Sequence, residues 1–218
     1  MITLIFTLYR PGKQLLETLV FKGVWKVYSN KVVLKDFNLI VFEGEVVRLE
    51  GPNGSGKTTV LKLASGIERP TRGEVYVAGS RPWSPSGKRA FGVVMHGNMT
   101  YPELTVRENI EFFVKLYKAD KDYAFELANK IGLDDKLDQR ASELSFGWRK
   151  RLEMVRALLH KPKLLLLDEP FVGLDKRGLE DIMTILKSVN EEGVSIVYTA
   201  PTGVPYSVRP DERVVSLA

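Results

Sequence analysis

Cysteine is absent from the 218-residue chain, which excludes disulfides and thiolate metal sites. Histidine is scarce, with only His96 and His160, and glutamine equally so, with only Gln14 and Gln139. Few glutamines beside many lysines, arginines and glutamates lean towards a thermophilic composition. No apolar run reaches the roughly 18 residues that a membrane-spanning helix needs, so no segment is expected to cross a bilayer. The apolar stretch Ile2–Tyr9 (ITLIFTLY) is short and lacks both a basic leader and a small-residue cleavage site, unlike a signal peptide. Residues 1–17 read as an extra strand or a loosely attached tail, and a cytoplasmic location is expected. The net charge of +5 and pI of about 9.3 would suit nucleic acid or an anionic membrane. The basic residues are scattered among acids, however, so they read as a solvated surface and no nucleic-acid partner is expected.

What is present is a soluble globular composition, 44% hydrophobic and 27% charged, with enough chain for one large domain or a core with an embedded subdomain. Strand-like apolar runs occur at Leu19–Val24, Phe37–Phe42, Val46–Glu50, Glu74–Ala78, Phe91–Met95, Leu164–Asp168, Ser195–Thr199 and Arg213–Leu217. Several are continuous rather than alternating, as parallel strands covered on both faces require. Thr105-Val-Arg-Glu108 is a capping box, followed by Val106, Ile110, Phe113 and Tyr117 at helical spacing. A second stripe, Trp148, Leu152, Val155 and Leu159, runs to His160-Lys161-Pro162, where proline stops the helix. His160 reads as a helix-end residue near the negative pole of that dipole. From about Asn98 to Arg156 the pattern is helical with no credible strand. The expected fold is α/β: a mostly parallel sheet of the P-loop NTPase type, with an antiparallel β edge and an inserted α-helical subdomain.

Val46–Glu50 runs straight into GPNGSGKTT, residues 51–59. This is the phosphate-binding pattern G-x-x-x-x-G-K-[ST] in its strand–loop–helix setting. Gly51, Gly54 and Gly56 allow the backbone of Pro52, Asn53 and Ser55 to turn its N–H groups onto phosphate oxygens, and the helix from Lys57 to about Ala64 adds its positive end. Lys57 is expected to reach the β- and γ-phosphates of ATP, Thr58 to offer its hydroxyl to Mg2+, and Thr59 to follow in the loop. No base-specific Asn-Lys-x-Asp occurs, which disfavours GTP.

Lys163-Leu-Leu-Leu-Leu-Asp168-Glu169 is an apolar strand ending in two acids. Burying that strand puts both carboxylates at the carboxyl edge of the sheet, beside the phosphate loop. Asp168 then suits the Mg2+ shell, and Glu169 suits orienting or deprotonating an attacking water.

Between these motifs sits Leu144-Ser145-Phe146-Gly147-Trp148-Arg149-Lys150-Arg151, which resembles the LSGGQ signature of the ATP-binding-cassette ATPases. The order GPNGSGKTT, LTVREN (104–109), LSFGW (144–148), LLLLDEP (164–170) and GLD (173–175) is similar to that family from about Leu19 to the end of the chain. The resemblance implies an ATPase domain over residues 18–218, with a core of 18–97 and 157–218 and a helical signature subdomain at 98–156. It implies a head-to-tail dimer, with itself or with a second cassette, in which Ser145 and Gly147 of one subunit meet the γ-phosphate held by the other. It also implies that the loop carrying Asp175 crosses the dimer interface beside the water-orienting acid, and that Tyr28 stacks on adenine, with Trp25 as a rival.

The departures from the family pattern carry information. Phe146 stands for the first signature glycine and Trp148 for the glutamine. His96 stands where the family has a glutamine that contacts metal and water, so it is a candidate catalytic and metal-contacting residue. The strand 194–199 is followed by Ala200, where the family has a histidine that hydrogen-bonds the γ-phosphate; slow hydrolysis by the isolated chain is the expectation. A lone cassette without a spanning segment resembles the motor subunit of a transporter that works with separate transmembrane permease subunits, nearest to export-type systems. The groove near His96, Met99 and Tyr101 is where the resemblance places the permease. The competing class is a soluble cassette ATPase acting on nucleic acid or the ribosome. Such proteins carry two cassettes or a long coiled coil, and this chain has one cassette and no heptad stretch.

Overall fold

The computed structural model describes residues 16–97 and 99–217; most of the segment read as an extra strand or tail lies outside these. Two sheets build the molecule. Strands β1 (Glu17–Tyr28), β2 (Lys31–Phe42) and β4 (Arg72–Val77) form an antiparallel sheet in the order β2-β1-β4. The expected antiparallel edge thus takes the form of a separate three-stranded sheet. Strands β3 (Val46–Glu50), β5 (Phe91–Val94), β6 (Leu164–Leu167), β7 (Ser195–Ala200) and β8 (Arg213–Ser216) form a wholly parallel sheet in the order β5-β6-β7-β3-β8.

The four leucines of β6 show why its sequence does not alternate. Leu164 and Leu166 enter one apolar core, together with Val47, Leu49 and Val197, helix α1 (Lys57–Ala64) and the antiparallel sheet. Leu165 and Leu167 enter the opposite core with Ile196 and Tyr198. All four are fully buried, so each face demands an apolar residue and the strand reads as a continuous run.

The second core is closed by helices. After the short α2 (Pro85–Ala90) and β5, the described chain holds only helical elements until β6: α3 (Val106–Tyr117), α4 (Lys121–Lys130), two 3₁₀ turns and α5 (Phe146–Leu158). Helix α3 starts where the sequence says it should: Glu108 N–H donates to Thr105 Oγ1 at 3.1 Å, and Thr105 N–H donates to Glu108 Oε2 at 2.8 Å. Its buried stripe is Val106, Ile110, Phe113 and Val114, and from α5 come Leu152, Val155 and Leu158. Helix α6 (Lys176–Glu191) contributes Ile182, Leu186 and Val189.

His160 stands just past the C-cap of α5, at the helix end where its sequence places it. Its Nε2 donates to the Phe91 carbonyl at 3.0 Å and the ring stacks on Tyr117 with centroids 4.6 Å apart. The dipole would favour a charged imidazole, but burial dominates and lowers its pKa.

A nucleotide-type site at the carboxyl ends of the strands

The strand order decides which groups meet. β7 lies between β3, which leads into the phosphate loop, and β6, which leads into the two acids. In a parallel sheet all three strands point their carboxyl ends the same way, so loop, acids and the tip of β7 share one edge.

The loop itself is tightly folded. Gly56, at the N-cap of α1, has φ +100°, a left-handed conformation that explains glycine there. Lys57 is buried, and its ammonium donates to the carbonyls of Gly51 at 2.6 Å and Pro52 at 3.0 Å. Ser55 Oγ is buried with no hydrogen-bond partner among the described residues. An orphaned hydroxyl inside an anion-binding loop fits a ligand rich in acceptor oxygens, because buried polar atoms are otherwise satisfied. Pro52, Asn53 and Gly54 are exposed at the tip, and Thr58 is exposed at the start of the helix.

Across the sheet edge, Thr58 Oγ1 lies 3.2 and 3.1 Å from Asp168 Oδ1 and Oδ2. Asp168 is 2% exposed. Its neighbour Glu169 has φ +47°, a left-handed conformation that costs a residue carrying a Cβ. His96 follows β5 and reaches over both acids, with Nδ1 3.4 Å from Asp168 Oδ2 and Nε2 3.6 Å from Glu169 Oε2. The loop carrying His96 is held from below: Arg156 on α5 donates to the Val93 carbonyl and contacts Met99 Sδ, and Met95 N–H donates to the same sulfur at 3.2 Å. Nearby on α5, burial raises the pKa of Glu153, and its pairing with Lys150 opposes that shift.

A hydroxyl and a carboxylate are hard oxygen donors and suit Mg2+. Among the described residues no cluster of three or more His, Cys, Asp or Glu could hold a metal unaided.

Tyr28 closes the other side of the loop. Its hydroxyl donates to Glu68, and Lys26 Nζ sits 4.7 Å from its ring centroid. Burial raises its pKa, and Glu68 adds to the shift. Trp25 instead faces Lys35, 5.9 Å away, and pairs with Arg72.

Ser145, Gly147 and Asp175 stand at the starts of two helices, α5 and α6. Ser145 is the N-cap residue of α5, yet its side chain makes no capping bond. Gly147 sits in the first turn, and a Cβ there would meet nothing nearer than Leu174 Cδ2 at 4.0 Å. Packing within the chain therefore does not explain the glycine. Asp175 is committed locally, accepting from Gly178 N–H at 2.8 Å to cap α6. Phe146 lies against Gly173, where an added Cβ would come within 3.3 Å of its ring, and is 43% exposed. The sequence marks Thr199 only as the last polar residue of a buried strand; the structure places its hydroxyl against the Asp168 carboxylate and the Glu169 backbone N–H.

Comparison with known proteins agrees with this geometry. The family model described as ABC transporter matches residues 34–172. An uncharacterised ABC transporter ATP-binding protein of Methanocaldococcus jannaschii is 37% identical over 81% of this chain and 85% of its own length. The linearmycin resistance ATP-binding protein LnrL of Bacillus subtilis is 32% identical over 82% of this chain, which spans 60% of LnrL. A solved dimeric ATP-binding cassette in a post-hydrolysis state, bound to ADP and Pi, superposes with a TM-score of 0.79 at 30% identity, covering 91% of this chain and 94% of that one. The chain belongs to the ABC transporter family, as one of its ATP-binding, ATP-hydrolysing cassettes.

Proposed function

We propose that this cassette is the motor of a transporter whose membrane-spanning part is a separate permease, and that two cassettes close head to tail around Mg2+-ATP to drive it. The observation that carries this reading is the meeting of Thr58 and Asp168, 3.1–3.2 Å apart, at the mouth of a loop holding the unpartnered Ser55 hydroxyl. In this reading the loop from Gly51 to Thr59 holds the phosphates and Lys57 swings from the loop carbonyls to the β- and γ-phosphates. Thr58 and Asp168 hold Mg2+, which when bound neutralises developing charge on the phosphate oxygens. Glu169 orients the attacking water and takes up its proton, and His96, bridging both acids, hydrogen-bonds that water. Tyr28 stacks on the adenine ring.

The unused hydroxyl of Ser145 and the unexplained Gly147 face the phosphates bound by the opposite cassette, at a helix N-terminus suited to anions. Asp175 keeps the crossing loop in shape by capping α6. The permease docks beside the His96 loop, where Tyr101, Phe112 and Leu116 are all exposed and the Tyr101 and Phe112 rings pack edge to face at 4.7 Å. Exposed aromatics gathered on one surface are a common mark of a partner site. No helix among the described residues is long and apolar enough to cross a membrane, and the reading places the cassette on the cytoplasmic face of the membrane. Ala200 is buried at the tip of β7 and offers no donor to the γ-phosphate, so hydrolysis by the isolated chain is slow.

The test is ATP-driven assembly. Light scattering of the purified chain with Mg2+-ATP, alone and with candidate partner cassettes, should show a twofold gain in mass. A chain that stays monomeric in every combination ends the motor reading.

A further inference from the structure

Thr199 is the last polar residue of β7, the strand wedged between those that deliver the phosphate loop and the acids. It is 1% exposed. Its Oγ1 donates to Asp168 Oδ1 at 2.8 Å and accepts from the Glu169 backbone N–H at 2.8 Å. One hydroxyl thereby holds two successive residues, spending its single proton on the first and a lone pair on the second.

Each bond fixes something different. The bond to Oδ1 sets the rotation of the Asp168 carboxylate, which leaves Oδ2 turned towards Thr58 Oγ1 at 3.1 Å and His96 Nδ1 at 3.4 Å. The bond from the Glu169 amide stabilises the left-handed backbone, φ +47°, that aims the Glu169 side chain out of the sheet. A valine at this position would keep the volume but leave a buried carboxylate oxygen and a buried amide each one bond short.

We infer that Thr199 is a positioning residue for the divalent cation and for the water-orienting acid, acting through Asp168 and Glu169 without touching nucleotide. The inference rests on the proposed roles of those two acids. Removing an outer partner of a metal-binding carboxylate typically lowers metal affinity by about 10–100-fold.

The experiment uses the full chain and Thr199→Val, Thr199→Ser and Thr199→Cys variants. Binding of a fluorescent ATP analogue is measured in EDTA and then across a Mg2+ titration, with Mn2+ binding followed separately by electron paramagnetic resonance. Thr199→Val should bind the analogue in EDTA as the parent does, yet need about 10–100-fold more Mg2+ or Mn2+ for half-saturation. Thr199→Ser should recover most of the loss, and Thr199→Cys, a weaker donor, should fall between them. If Thr199→Val does not fold, the serine and cysteine variants carry the comparison. Unchanged metal dependence in the variants overturns the inference, as does an equal loss of binding in EDTA, which would mark a purely structural role. Failure of the parent chain to bind the analogue under any condition would instead remove the nucleotide-site reading on which the inference stands.

Discussion

The Nε2 atom of His160 donates to the Phe91 carbonyl oxygen at 3.0 Å, while Nδ1 of the same ring is buried with no partner among the described residues. Protonating Nδ1 would create a charge with nothing to accept its hydrogen. Burial is the main cause of its lowered pKa, the Phe91 bond opposes it and the Arg156 guanidinium reinforces it. Because the folded-state pKa lies below the unfolded value of about 6.5, this group's stabilisation is complete above about pH 6.5 and is lost as pH falls towards the lower folded-state value. The melting temperature should therefore drop on going from pH 7.5 to pH 5. His160→Phe, which retains the stack on Tyr117, should show a shallower drop over the same interval; equal slopes would refute the assignment.

Gly147 offers a second test, because its cost and its proposed use fall on different states. Alanine in a helix is more stable than glycine by roughly 0.5–1 kcal/mol, and a Cβ at 147 meets no atom closer than 4.0 Å. Gly147→Ala should thus raise the melting temperature of the monomer. If the backbone at 147 closes on phosphate held by another cassette, the added methyl should cost about 1–3 kcal/mol there, on the order of tenfold or more in ATP-driven dimerisation. Calorimetry and light scattering on the same sample separate the two effects. A variant that dimerises as readily as the parent would remove Gly147 from the interface.

Much of this was legible in the chain because the fold writes certain residues twice, once for packing and once for chemistry. The continuous leucines of β6 announce burial on both faces, and the acids that follow must then emerge at the sheet edge. The phosphate loop is legible because its turns need glycine and its ligand needs lysine and threonine. Thr199 was not, since a threonine ending a buried strand looks the same in sequence whether its hydroxyl meets solvent or a carboxylate and the next residue's amide. The same holds for Glu169, whose left-handed backbone has no glycine or asparagine to signal it. The contacts of His160 were not legible either, because Phe91 and Tyr117 are distant in sequence and a local rule about helix ends has no access to them.

Ala200→His addresses the slow-hydrolysis proposal. Supplying one preorganised donor to a transferring phosphoryl group is worth on the order of 10²–10³ in rate, so kcat should rise towards that range with little change in KM. Ala200 is 1% exposed and packs in the core that includes Phe171, so the larger side chain should also lower stability by about 1–3 kcal/mol. A thermal melt confirms that the variant is folded at the assay temperature. A folded variant with no gain in kcat would mean that hydrolysis here is not limited by a missing donor at the tip of β7.

Glu169→Gln separates binding from chemistry at the acid itself. The substitution removes the negative charge and the proton-accepting oxygen but preserves shape, and the backbone bond from residue 169 to Thr199 Oγ1 does not involve the side chain. ATP affinity should therefore hold. Hydrolysis should fall by roughly 10²–10⁴, the usual contribution of a positioned general base. With turnover blocked, the nucleotide stays a triphosphate and closed dimers should accumulate, visible by light scattering as a doubled mass that persists for hours and disappears when EDTA strips Mg2+. If the variant hydrolyses ATP within tenfold of the parent, Glu169 is not the base, and the role passes to another group of the site, with His96, whose Nε2 lies 3.6 Å from Glu169 Oε2, the first to examine.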